Sequence, residues 1–352
     1  MVYDLTDKNE YSRFIDGALY GFRECVGVIN YDLVWRRKEL SNLNGFTLML
    51  DESSLIQNEK SKRSKFILNN LHPLNVILLS GTPVSGKYEN LWSQCRLLGW
   101  DISKQAYWNT YIRYKVDTRQ GFPLKIVYGY KNVDRLKLKL RKHGANFLKS
   151  DEVIELPEQV FTDIHVPVTK EYKKFQKDRV VSIGDKELVG DTVLTQMLYE
   201  RQLCGQYNKH KLDALKDLLQ STEDRMIVFY NYYDELYAIE DICMELDKPV
   251  SIVNGSEKDL MCYEDYDNSV TLVQYQSGSM GLNLQKANKI VYYTPPVSSD
   301  LFEQSKKRVH RIGQSKTCFY YQMVCDKSIE QKIYLTLAMR RDYTESLFVE
   351  GK

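Results

Sequence analysis

The chain has 352 residues, 43% of them hydrophobic and 12% aromatic, so it can bury a sizeable core and is long enough for two domains. Its 49 lysines and arginines against 47 acidic residues leave a net charge of +2, which excludes a global basic field and means that any polyanion must be met by local groups. Seven cysteines without a Cys-x-x-Cys pair read as buried thiols in a reducing compartment, and five scattered histidines make no metal constellation. No apolar run approaches the roughly 20 residues of a membrane span, and a start carrying Asp4, Asp7 and Glu10 does not resemble a targeting segment.

Taken in chain order, Gly27 to Asn30 and Phe46 to Leu50 read as strands, followed by a polar helix over Lys60 to Leu71 and a strand over Asn75 to Leu79. This order predicts a parallel sheet. From Tyr88 to about Lys149 the pattern is helical and aromatic and runs through the basic segment Lys131 to Lys142, so residues 88–150 are expected to form a helical protrusion after a first domain at 1–87. Leu156-Pro157 breaks it, Val160 to Val166 reads as an extended crossing, and Lys170 to Gln206 as helices separated by loops at Gly184 and Gly190, giving a connector over 151–208. The final domain, 209–352, is predicted to hold helices over Leu212 to Leu219, Asp234 to Leu246 and Ser328 to Met339. Its strands are expected over Met226 to Phe229, Val250 to Val253, Val270 to Val273 and Lys289 to Tyr293. The repeated β-then-α order makes the fold class α/β, two lobes with parallel sheets plus the protrusion.

Two segments carry chemistry. Thr47 to Leu50 is an apolar run ending in the pair Asp51-Glu52, as expected where a buried strand delivers a metal ligand and a base to its carboxyl end. Gln304 to Gln314 contains Arg308 and Arg311, three positions apart and therefore expected on one helix face, where both guanidinium groups could reach a phosphate. A bare acidic pair more often caps a helix and a basic run more often is a solvated face, but the two segments together suggest a nucleotide hydrolase. Gly81 to Lys87 matches seven positions of a phosphate-loop pattern, yet its eighth position is Tyr88, whose phenol cannot replace a compact Ser or Thr hydroxyl on magnesium.

These residues resemble the helicase-type ATPases of superfamily two, and within them the Swi/Snf-like DNA translocases. Val28 to Tyr31 resembles the family's first DNA-contact motif, Asp51 to Ser54 its Walker B (DEAD/DEAH-type) box and Leu79 to Pro83 its motif three. Ser277 to Leu284 resembles motif five and Gln304 to Gln314 motif six, while Leu148 to Pro157 and Arg201 to Cys204 are similar to family connectors. Each match is short, but five in the family's order between Val28 and Arg340 are specific.

The resemblance implies two RecA-like lobes, ATP and Mg2+ as substrate and cofactor, and DNA as track, double-stranded and read with little sequence preference. Asp51 would hold magnesium through water, Glu52 would orient the attacking water, and Arg308 and Arg311 would act as arginine fingers reaching from the second lobe. Gly278, Gly281 and Gln304 would line the nucleotide, Gln304 and Gln314 serving mainly to position their segment. Ser80, Gly81, Thr82 and Asn283 would couple the nucleotide to DNA, and Asn30, Tyr31, Arg36, Asn254, Gly255 and Ser256 would track its phosphates. Ser53 and Ser54 depart from the family's more usual Ala-His or Ser-His ending.

A family member carries a Gly-rich Walker A loop ahead of this box, and nothing from Met1 to Leu50 fits one. The expectation is a first lobe incomplete at its N-terminal side, completed by a polypeptide encoded upstream, with no membrane involved. Three functions remain open: part of a DNA-stimulated ATPase motor; a motor-derived module that binds DNA or a partner without turning over ATP; and, ranked last, a kinase built on Gly81 to Lys87. The compact motor suggests a bacterial or phage cytoplasmic protein, nuclear if eukaryotic.

Overall fold

The computed structural model describes residues 1–21, 24–81, 83–84, 86–118, 123–147, 155–278 and 281–345, without the side chains of residues 278 and 341–345. They divide into two units, Met1–Phe147 with the terminal Asp342–Lys352, and Leu148–Arg341.

In the first unit, β1 (Val2–Asp4) pairs in parallel with β2 (Val26–Val28), and the two are joined by α1 (Lys8–Tyr20), whose first turn is capped by the Asp7 carboxylate. Gly27 is required in β2 because a Cβ there would come within 2.7 Å of Leu5 and 2.9 Å of Phe14. A second parallel pair joins β3 (Thr47–Leu50) to β4 (Asn75–Leu78), with α2 (Lys62–Asn70), N-capped by Ser61, as the crossover. Leu50, Ile56, Ile67 and Leu71 share one core with Tyr3, Leu5, Phe14 and Ile15.

Residues 88–147 are not wholly helical, contrary to the expectation. α3 (Trp92–Leu97) and α4 (Lys104–Tyr111) are followed by an antiparallel hairpin, β5 (Ile112–Asp117) and β6 (Leu124–Tyr130), and then by α5 (Val133–Lys142). The aromatic residues Tyr88, Trp100, Tyr107 and Tyr111 are buried with Leu136 and Leu140 of α5, and Trp108 and Tyr114 pack partly buried against them.

The second unit is built on a six-stranded sheet with every neighbouring pair parallel. Its order is β11 (Val250–Val253), β12 (Val270–Gln274), β10 (Met226–Tyr230), β13 (Lys289–Tyr292), β14 (Cys318–Cys325) and β7 (Gln159–Val166). All five residues of β10 are buried, which a strand covered on both faces requires. Its alternate residues separate the two core layers. Met226, Val228 and Tyr230 pack with Leu215 and Leu219 of α8 (Lys209–Gln220) and Leu236 and Ile239 of α9 (Tyr233–Glu245). Ile227 and Phe229 face a cluster that contains Phe175, Leu203, Phe302 and Ile333.

Two expectations for the connector are corrected. The extended crossing, β7, is the edge strand of this sheet, registered along all of β14 from Cys318↔Gln159 to Cys325↔Val166. Between α6 (Lys170–Asp178) and α7 (Val193–Cys204), the Gly184 turn closes a hairpin of β8 (Val180–Ile183) and β9 (Lys186–Val189), because Gly184 takes a positive φ of 57°.

α8 is tied to the C-terminal helix α13 (Ile329–Glu345) by a buried ion pair in which Lys211 Nζ lies 2.6 and 2.7 Å from the two Glu330 oxygens. Burial works against the lysine's charge, and Glu330 outweighs it, so Lys211 is held above the ordinary lysine range. Cys204 and Cys325 also approach Glu330, but an ammonium that already takes both carboxylate oxygens makes this a poor cation site.

Candidate functional site

Asp51 and Glu52 stand directly after β3, at the carboxyl end of a parallel strand, where the sequence places them. Asp51 is exposed, and its Oδ1 accepts the Glu52 amide at 3.0 Å. Glu52 has a left-handed backbone with φ 52° and ψ 54°, a conformation that costs a non-glycine residue energy and tends to persist at functional sites. Tyr31 donates its hydroxyl to the Asp51 carbonyl at 2.7 Å. Its pKa is pushed up to about 12, first by burial and then by the Asp51 and Glu52 charges, so it remains a donor at any physiological pH.

The next residue locks this turn to the segment after β4. The Ser53 amide donates to the Leu79 carbonyl at 2.8 Å, and the buried Ser53 hydroxyl donates to Gln94 Oε1 at 3.1 Å. Gln94 Nε2 in turn donates to the Pro83 carbonyl at 2.6 Å, a carbonyl that Gln57 Nε2 also reaches at 3.3 Å, and Asn90 bonds the Gln57 side chain at 2.9 Å. Ser53 therefore has specific partners on both its amide and its hydroxyl. Gln94, Gln57 and Asn90 were not anticipated; the available signal was a glutamine at a core-facing position of α3 beside Cys95. Ser80 and Gly81 lie in the linked segment, and Thr82 falls outside the described residues.

The Gly81–Lys87 decoy is resolved by Tyr88. Where a phosphate loop needs a magnesium-binding hydroxyl, this ring is buried 4.8 Å from the Tyr130 ring, and its carbonyl accepts from Tyr107.

In the second unit, α12 (Ser299–Lys306) carries Gln304 but stops before the arginines, so Arg308 and Arg311 are not on a shared helix face as predicted. They lie in consecutive turns, and the cause is a set of competing bonds. Gln314 Nε2 donates to the carbonyls of Gln285, Ala287 and Val309 at 3.1, 2.9 and 3.4 Å, Val309 is fully buried, and Gly313 takes a φ of 95°. His310 bonds the Pro157 carbonyl at 2.9 Å and Gln159 at 3.2 Å. The helix is thus pulled open and anchored to β7 and to the segment before β13.

This turn meets the glycine segment after β12. Arg308 Nη1 donates to the Leu282 carbonyl at 3.4 Å, and the Leu284 amide donates to the Arg308 carbonyl at 3.2 Å. Gly281 has a φ of 69°, and Asn283 beside it is exposed. Gly278 ends the short helix Tyr275–Gly278, while Ser279 and Met280 fall outside the described residues. Arg311 is exposed and has no ion pair among the described residues, so its guanidinium is available to a ligand.

The DNA-contact candidates divide by what their side chains already do. Asn30 Oδ1 accepts the Leu33 amide at 2.9 Å, and Asn254 Oδ1 accepts from the Ser256 amide, the Ser256 hydroxyl and the Glu257 amide, so both asparagines close their own turns. Arg36 is exposed with its guanidinium 5.1 Å from the Trp35 ring centroid, and Gly255 and Ser256 are exposed.

Within the first unit Asp51 offers an exposed carboxylate at a strand end, a group suited to a hydrated magnesium ion, and within the second unit Arg311 offers an uncommitted guanidinium, a group suited to a phosphate. No helix among the described residues is long and apolar enough to cross a membrane.

Parallel α/β units with an acidic pair at a strand end, and with glycine and arginine turns bonded together, define the class: a helicase-type α/β protein with RecA-like lobes. The family model described as the SNF2-related domain matches residues 6–211, and that of the helicase conserved C-terminal domain matches residues 210–313. The chain belongs to the SNF2-related family.

The chain is 25% identical over 370 residues to the ISWI chromatin-remodeling complex ATPase ISW1 of Saccharomyces cerevisiae, covering 93% of this chain and 32% of that protein. It is 23% identical over 342 residues to the putative ATP-dependent helicase/translocase YwqA of Bacillus subtilis, covering 88% and 36%. The chain thus spans about a third of the length of the curated relatives it matches. The C-terminal part of the Fun30 ATPase domain overlaps 55% of this chain and 98% of that chain at 15% identity with a TM-score of 0.43.

Proposed function

We propose that this chain is part of an ATP-dependent DNA translocase motor in which Asp51 and Glu52 of the first unit and Arg308 and Arg311 of the second act on the same ATP, with hydrolysis stimulated by double-stranded DNA. The observation that carries the reading is the pair of built turns: the acidic turn held to the Leu79–Pro83 segment through Ser53 and Gln94, and the arginine turn held open by Gln314.

Magnesium, when bound, would neutralise charge on the terminal phosphates. Asp51 would hold its hydration shell, and Glu52, displaced from the strand axis by its left-handed backbone, would accept a hydrogen bond from the attacking water and orient it. Arg311, and Arg308 from its bond to Leu282, would stabilise charge that grows on the departing phosphoryl group. Gly281 permits close backbone approach, and Gln304 on α12 positions the segment. The bonds from Ser53 to Leu79 and Gln94 give Ser80 and Gly81 a mechanical link to the acidic turn, as a coupling segment needs. Gly255, Ser256, Arg36, Tyr31 and Asn283 remain candidates for phosphate contacts without sequence reading.

Residues 1–50 contain no Gly-rich phosphate loop, so this reading requires that the triphosphate be cradled by a loop outside these 352 residues. The second reading, a DNA- or partner-binding module without turnover, is favoured by the same observation. DNA-dependent phosphate release, measured on this chain alone and mixed with a polypeptide that carries a phosphate loop of the family, separates them. Release from the mixture supports the motor, and none from either supports the module.

A further inference from the structure

We propose that the hairpin β5–β6 carries a second contact for the phosphate backbone of duplex DNA, centred on Arg113 and Lys131 and separate from the residues assigned above. Between Lys104 and Lys142 stand eleven lysines and arginines against two acidic residues, Asp117 and Asp134, in a chain whose total net charge is only +2. Part of this excess has a local explanation. Arg141 and Lys142 occupy the last turn of α5, where cations answer the helix dipole, Lys104 is paired with Glu59, and Lys125 sits over the rings of Trp108 and Tyr114 at 4.7 and 4.6 Å. Arg113, Lys115 and Lys131 have no such explanation. They stand on or beside strands, Arg113 and Lys115 are exposed, and none of the three has an ion pair among the described residues.

The geometry gives the charges a place. A cleft of about 260 Å³ is lined by Asn109, Ile112, Arg113, Tyr114, Tyr128 and Lys131, and neither acidic residue of the stretch lines it. Apart from Ile112, every lining residue is of a type that contacts DNA phosphates. The register of the hairpin shifts between Arg113 and Tyr114, and such a bulge re-aims the side chains beside it; here both line the cleft. Tyr128 is 67% exposed at the same cleft, a side chain of a type that can hydrogen-bond a phosphate. A duplex presents a charge about every 1.7 Å along its axis, so a compact group of unpaired cations on a stiff hairpin can follow its backbone without reading bases.

The inference rests on the motor reading only for its choice of duplex DNA. The test is fluorescence anisotropy of a 30-base-pair duplex with the full chain over a salt series, comparing wild type, Arg113→Glu/Lys131→Glu, the milder Arg113→Gln/Lys131→Gln, and Lys170→Glu/Lys173→Glu on α6 as a control of equal charge change. The hairpin reversal is expected to weaken binding at least tenfold more than the control, and to flatten the slope of log affinity against log salt by about two, one for each lost phosphate contact. The glutamine pair should show the same flattening with the fold intact by circular dichroism. Hairpin variants that bind no worse than the control overturn the inference and leave the motor reading standing. An effect confined to a 30-nucleotide single strand overturns the choice of duplex. A wild-type chain that binds no duplex overturns both this inference and the motor reading.

Discussion

The two units solve the same problem, burying parallel strands, to different extents. In the second, six strands lie side by side with both faces covered, and residues such as Val228, Phe229 and Val291 are wholly buried. In the first, the parallel strands occur as two separate pairs; Met49 on β3 is 59% exposed, Ile77 on β4 41% and Val28 on β2 56%. Parallel sheets ordinarily need cover on both faces. The second unit has a closed core, whereas the acidic turn of the first depends on a few hydrogen bonds around Ser53 and Gln94.

The contrast is broken most sharply at the buried ion pair of the second unit. Lys211→Met strands Glu330 in an apolar site and is expected to cost that unit about 3–5 kcal/mol, read by chemical denaturation. A loss under about 1 kcal/mol would mean that the closed core does not depend on this clamp.

A smaller effect of nearly that size is expected from pH. Glu235 is wholly buried, accepts from the Asn231 and Tyr232 amides and the Thr294 hydroxyl, and is pushed up by burial to about 7. The folded state keeps this proton to a higher pH than the unfolded chain, which releases it near 4.5, so stability falls as pH rises from about 4.5 to about 7. The fall is on the order of 3 kcal/mol, and Glu235→Gln should flatten it in a pH series of denaturation curves. An unchanged slope in the variant would assign the pH dependence elsewhere.

In the first unit the expected effects shrink. Gln94→Leu leaves the Ser53 hydroxyl without its acceptor and the Pro83 carbonyl with one donor fewer, a cost of about 1–3 kcal/mol, seen as faster hydrogen exchange from Ser53 to Gln57. Exchange unchanged there would remove Gln94 from the account. Met49→Ser, on the open face, should change stability by no more than about 0.5 kcal/mol, and a larger loss would show that the face is covered in solution.

What the sequence made legible follows the same divide. The strands at Met226 and Val270 were readable because strands buried on both faces are mostly apolar runs. Hairpin β5–β6 was legible but missed: Ile112, Tyr114 and Val116 alternate with Arg113, Lys115 and Asp117, the period of a half-buried strand, inside a stretch read as helix throughout. The acidic pair was placed correctly after its strand. The arginines were misplaced on a helix because a spacing of three fits one, while the bonds that unwind it come from Gln314 and His310 to carbonyls distant in sequence, which no local pattern reveals. Gln94 escaped for the same reason, its partners lying 41 and 11 residues away.

The measurement that tests the central claim most directly is a double-mutant comparison of DNA-stimulated phosphate release, in the mixture with a polypeptide that carries a phosphate loop of the family, for Glu52→Gln, Arg311→Ala and the two together. If both residues act on one ATP, each single change lowers turnover on the order of a thousandfold and the double change is little worse than either, because groups that act as a unit are not additive. Hydrolysis that persists at the wild-type rate in either single variant would contradict the account.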